Sequence, residues 1–146
     1  MPAARANAIL QAALVDLIDL SLLAKQAHWN VRGVNFRSVH LELDEVIDQV
    51  RINSDDVAER LAAVGGSPDG RAATVAATSK VPGIEPGPIE APVVVAEFSA
   101  RVYDAARRIE VDLPELDEDL ASQDLLIGIV GQLDKAAWML RSQTES

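Results

Sequence analysis

Between residues 4 and 31, Leu10, Leu14, Leu17, Ser21, Ala24 and His28 recur at steps of three and four, the period of a helix that buries one face. Gly33 breaks the pattern within "NVRGVNF". A second stripe follows at Val39, Leu43, Val46, Val50, Val57, Leu61 and Val64, and it stops at Gly65-Gly66. Gly and Pro then punctuate residues 65 to 90 ("GGSPDG", "VPGIEPGP"), which predicts a long connection with one short helix over 71–79. Pro92 suits the first turn of a third helix running through Val95, Phe98, Val102, Ala106, Ile109 and Leu113. "DLPELDED" interrupts, and a fourth helix carries Leu126, Val130, Leu133, Ala137 and Leu140 on one face. No strand pattern, repeat or low-complexity tract competes.

The expected fold class is therefore all-α. Four long helices with a long crossover between the second and third match the ferritin-like four-helix bundle, whose second and third helices run parallel. The second helix, at ~1.5 Å per residue, is on the order of 42 Å long, and the connection is long enough to span it. The chain of 146 residues fits one domain, residues 1–146.

Composition narrows the chemistry. The chain has no Cys, which excludes disulfides and thiolate metal sites and fits a reducing compartment, so the cytoplasm is the expected location. Asp16 and Asp19 interrupt the apolar N-terminal stretch, and no uninterrupted apolar run is long enough to span a bilayer, so no membrane is expected. With 13 Lys and Arg against 23 Asp and Glu, the net charge of -10 repels phosphate backbones and favours cations as partners.

The second helix carries a polar stripe. His40, Asp44, Asp55 and Glu59 lie at about 0, 40, 60 and 100 degrees around its axis, on one face and away from the apolar seam. Leu41 and Ile52 fall close to Glu59, so the outer face is expected to be covered by a partner. Imidazole and carboxylate without thiolate suit Fe, Mn or Zn. An acidic helix also aligns carboxylates that merely face water, so the stripe alone leaves both readings open. The two ligand pairs are roughly 22 Å apart along the helix, too far for one metal. A second copy running antiparallel, with a two-fold axis near residues 49 and 50, would set His40 and Asp44 of one chain beside Asp55 and Glu59 of the other. His28, at the end of the first helix, would join from the same chain as His40.

The stretches "KQAHWNVRGVNF", "VHLELDEV", "DDVAERLAAVGGSPDG" and "SQDLLIGIVGQLDKAAWML" resemble the Dps family (DNA-binding protein from starved cells), or mini-ferritins. The likeness covers almost the whole chain, and His28, His40, Asp44, Asp55 and Glu59 match the family's ferroxidase motif. It implies a hollow dodecamer with tetrahedral symmetry whose ferroxidase sites lie between two-fold-related subunits. There ferrous iron is oxidised, preferentially by hydrogen peroxide, and the ferric product is stored in the cavity. By the same resemblance, Asp55 and Glu59 bind the first iron with His28 of the partner, and His40 and Asp44 serve the second. Ferritin and bacterioferritin fit less well, because their sites use E-x-x-H and this chain has none.

The resemblance also marks Trp29 as a quencher of oxidising radicals, against the plainer reading of a packing aromatic; Trp138 is expected in the core. Among the carboxylates of "DLPELDEDLASQD", Asp119 and Asp124 resemble an acidic three-fold pore, where a solvated acidic loop is the ordinary reading. One departure stands out. "MPAARANAIL" holds only Arg5 and "RSQTES" only Arg141 as basic side chains, so neither end is a cationic tail and DNA binding is not expected. The rival readings are a non-catalytic, nucleoid-coating DNA-binding shell and a purely structural bundle that would not respond to metal.

Overall fold

The structure, a computed structural model, describes residues 2–143. Met1 and residues 144–146, parts of the terminal stretches weighed as cationic tails, lie outside the described residues. The chain forms helix α1 (Pro2–Asn30), strand β1 (Val31–Arg32), helix α2 (Phe36–Ala63), helix α3 (Ala72–Thr78), strand β2 (Ile89–Glu90), helix α4 (Ala91–Asp112), a 3-10 turn (Leu113–Leu116) and helix α5 (Leu120–Arg141). Helix α1 packs along α2 and α4 along α5, and the long connection between α2 and α4 carries the chain to the other pair.

The apolar stripes are the core. Leu10, Leu17, Ala24, Leu43, Val50, Val57, Leu61, Phe98, Val102, Ala106, Leu126, Leu133 and Leu140 are all buried in one cluster. Helix α1 contains a stretch, Ala3–Asn30, long and apolar enough to cross a membrane by length and composition even with Asp16 and Asp19 inside it. Its most apolar 18-residue window is 56% buried inside the bundle, so its apolarity already has a use in the core.

Local chemistry sets the ends of α2. At its start Gly33 and Asn35 both take positive φ, 93° and 67°, turning the chain tightly between α1 and α2. At its end Gly66 N–H donates to Leu61 O at 2.9 Å and Gly65 N–H to Ala62 O at 3.1 Å, a Schellman closure with Gly65 at φ 92°.

The sequence pattern shows no strands, yet β1 and β2 pair in parallel, with Val31 opposite Ile89 and Arg32 opposite Glu90. Each has two residues, too short for an alternation to register. The bridge fastens the end of the crossover to the turn that carries the site residues. Elsewhere Asp16, buried in α1, accepts from Lys80 N–H at 2.8 Å and Arg108 Nε at 2.7 Å, tying the crossover and α4 to the first helix.

Candidate metal centre

The turn between α1 and α2 brings the two histidines together. Their rings stack with centroids 3.7 Å apart and 13° between planes. His28 Nδ1 lies 2.6 Å from His40 O, and His40 Nδ1 lies 2.8 Å from His28 O. A carbonyl can only accept, so each Nδ1 must carry the proton and donate. In the neutral rings the lone pair is then at Nε2, the arrangement that metal-ligating histidines usually receive from a backbone carbonyl. Phe36 continues the stack, its ring 5.0 Å from that of His40. His28 is buried and His40 half-buried.

Asp44, one turn beyond His40, joins this group. Its Oδ2 lies 3.5 Å from His28 Nε2, and its Oδ1 accepts from Lys25 Nζ at 2.7 Å. The Lys25 ammonium chiefly holds the Asp44 carboxyl below the usual carboxylate range; burial opposes it, and the two imidazoles add to the lowering. Neither Lys25 nor Phe36 stood out in the sequence. The signals were present as three-residue and four-residue helical steps, Lys25 to His28 and Phe36 to His40, which place those side chains on shared faces.

Asp55 and Glu59 sit farther along the same helix, both exposed. Helix α2 is continuous from Phe36 to Ala63, so they cannot fold back to the imidazoles of their own chain. Among the described residues neither makes a side-chain hydrogen bond or ion pair, and no three His, Asp or Glu side chains come together as a metal-holding group. The candidate ligands therefore divide between an ordered group at one end of α2 and exposed carboxylates at the other, which have no partner among the described residues. Between them the outer face exposes Leu41 (44%) and Ile52 (58%).

The remaining candidates divide. Trp29, beside His28, is 67% exposed. Trp138 is not in the core: it is 52% exposed, one residue past buried Ala137 and so turned by about 100 degrees from the packed face of α5. Asp119 is the N-cap of α5, accepting from Ser122 N–H at 3.2 Å, Ser122 Oγ at 2.6 Å and Arg60 at 2.9 Å. Burial works against its ionisation, but these three donors outweigh it and leave the carboxyl below its usual range. Asp124 is exposed on the first turns of α5.

Against known proteins, the model of the ferritin-like domain family matches residues 7–146. The DNA protection during starvation protein of Mycolicibacterium smegmatis is 37% identical over 142 residues, covering 94% of this chain and 76% of that protein. DpsA14 from Streptomyces coelicolor superposes with a TM-score of 0.94 at 34% identity, covering 99% of this chain and 87% of that one. Dps from Microbacterium arborescens in its high iron form gives a TM-score of 0.92 at 32% identity, covering 98% and 94%. The match along nearly the full length, in sequence and in fold, makes this chain a member of the Dps family of ferritin-like proteins.

Proposed function

We propose that the chain, acting as a single ferritin-like domain, oxidises ferrous iron with hydrogen peroxide at sites shared by two subunits. The ferric product is stored as mineral inside a hollow dodecamer. The observation that carries this reading is the reciprocal pair of ring-to-carbonyl bonds between His28 and His40, which turns both Nε2 lone pairs toward a cation, with the Asp44 carboxylate 3.5 Å from His28 Nε2. Imidazoles fixed in that tautomer beside Asp44, with the exposed carboxylates of Asp55 and Glu59 supplied by a partner, give a mixed nitrogen and oxygen set suited to iron. The high iron form in which a relative was solved supports iron as the substrate metal.

The chemistry balances with two irons. Two ferrous ions give two electrons to one hydrogen peroxide; its O–O bond breaks, two protons are taken up, and two waters leave without a hydroxyl radical. Asp55 and Glu59 would supply hard anionic oxygens that favour the ferric product, and the Glu59 carboxylate, with two oxygens, could serve both ions. His28, His40 and Asp44 complete the set, and Lys25 holds Asp44 in place when no iron is bound. Trp29, exposed next to His28, is positioned to intercept an escaping oxidant.

A second reading, a shell that protects DNA by coating it, draws on the name of the Mycolicibacterium relative. The charge of -10 favours protection by removing iron and peroxide instead, in the cytoplasm. Mixing the assembled protein anaerobically with ferrous iron and peroxide tests the proposal. Consumption of one peroxide for every two irons supports it, and that rate should fall in Asp55→Ala and Glu59→Ala shells. Wild-type rates in both variants would refute it.

A further inference from the structure

We infer that Asp48 and Arg51 are the register lock of the shared site: across the two-fold axis, Asp48 of each subunit pairs with Arg51 of the other. The inference rests on the proposed inter-subunit site and names what holds its halves level.

The argument begins with spacing along α2. His40 with Glu59, and Asp44 with Asp55, are each centred between Gln49 and Val50. Two antiparallel copies of α2 crossing at that point bring both ligand pairs level at once. Asp48 and Arg51 are centred on the same point. Each lies only about 2 Å along the axis from the crossing, so Asp48 of one copy is level with Arg51 of the other. Around the helix they fall at about 80 and 20 degrees on the scale that puts His40 at zero, the middle of the ligand stripe. The pairing is self-complementary, as an isologous interface requires: each subunit contributes one acid and one base, and two identical ion pairs flank the axis.

In the single chain both side chains are exposed, and among the described residues neither forms an ion pair, with the other or with any group. Asp44 holds Lys25 and Arg60 holds Asp119, while Asp55 and Glu59 on the same stripe share the idleness of Asp48 and Arg51 among the described residues. The facing stripes are otherwise mostly acidic, since Asp44 of one copy meets Asp55 of the other and, on that stripe, among the described residues only Asp44 has a cationic partner within its own chain, Lys25. Arg51 supplies the positive charge at the centre of that face. Leu41 and Ile52 flank the pair with exposed apolar surface for the same partner to cover. Helix axes in contact lie ~8–10 Å apart, a gap that arginine, on its long stem, can bridge to a carboxylate.

Charge reversal separates this contact from a simple i,i+3 pair within one helix. Asp48→Arg leaves two cations on its stripe and Arg51→Asp leaves two anions, so each variant alone sets like charges against each other. Metal-free subunit association is then read by native mass measurement, with circular dichroism checking that each variant remains helical. Each single variant should associate at least about tenfold more weakly than the wild type. An equimolar mixture should form mixed dimers of near wild-type affinity, because both inter-subunit pairs are restored there and no intra-helical pair is. Singles that associate like the wild type, or a mixture no tighter than its parents, would overturn the inference. Asp48→Asn and Arg51→Gln, which only remove charge, should show a smaller loss of association; no loss would also count against it. Because association is read without iron, normal oxidation by Asp55→Ala and Glu59→Ala shells would remove the ferroxidase reading and leave this result standing.

Discussion

The two ends of helix α2 carry parts of one proposed ligand set, yet their surroundings differ. At the N-terminal end His28, His40 and Asp44 are held by two backbone carbonyls, a ring stack and an ammonium group. At the C-terminal end Asp55 and Glu59 are exposed, with no partner among the described residues. Buried polar groups need partners whether or not metal is bound, so the imidazole end is fixed by folding. Exposed carboxylates cost nothing to leave free, so the other end can wait for a second subunit. On the proposed function, folding prepares half of the site and assembly is expected to complete it.

This contrast separates activity from stability. The largest effect is expected from Asp55→Ala or Glu59→Ala. Loss of a direct ligand should exceed the ~10–100-fold typical of outer-shell partners, while the melting temperature stays put because exposed positions cost less than about 0.5 kcal/mol. Stopped-flow iron oxidation beside calorimetry checks both. A substantial fall in stability would mean that the carboxylate end is structural after all.

At the other end, His28→Ala should lose both. The oxidation rate should fall as far, and stability should drop by about 2 kcal/mol, because a buried ring and its bond to the His40 carbonyl are removed together. Denaturant unfolding reads the difference, and an unchanged midpoint would contradict the ordering assigned to the imidazole end.

A smaller effect sharpens the account of Asp119. Its carboxylate is occupied as the cap of α5 and as the partner of Arg60, so Asp119→Ala should cost about 1 kcal/mol and leave iron entry nearly unchanged. The sign with pH follows from the lowered carboxyl. The native state binds fewer protons than the unfolded state, so this stabilisation is full above the ordinary value of 3.8 and is lost as pH falls below it. Acid titration of wild type and variant should converge in that range. Slowed iron uptake in Asp119→Ala at pH 7 would instead favour the pore role that the resemblance implies.

The smallest expectation is no effect at all. The 146-residue chain, at -10 per subunit, should not retard DNA at physiological salt, and salt-sensitive retardation near neutral pH would contradict that.

Much of the fold was legible because its signals are periodic. Leu43, Val50, Val57 and Leu61 repeat at helical steps and all are buried, and Gly65-Gly66 marks the end of α2 at the Schellman closure. The β1–β2 bridge was not legible, since pairs of two residues carry no period. Trp138, expected in the core, is exposed because its angle on α5, about 100 degrees past buried Ala137, turns it away from the packed face. Four of the five candidate ligands were legible as residue types on one stripe of α2, and His28 from its place at the end of α1. Lys25 and the carbonyl bonds of the histidines were not, because a backbone acceptor leaves no mark in side-chain spacing.

The central claim is that each site takes its imidazoles from one chain and its carboxylates from another. Subunits carrying His28→Ala and His40→Ala, mixed after dissociation with subunits carrying Asp55→Ala and Glu59→Ala, test it directly. In a mixed dimer one site lacks every altered ligand and the other is intact. Random reassembly makes half the dimers mixed, so oxidation should recover to about a quarter of the wild-type rate from two nearly inactive parents. Persistent inactivity in shells shown to contain both subunit types would contradict the claim.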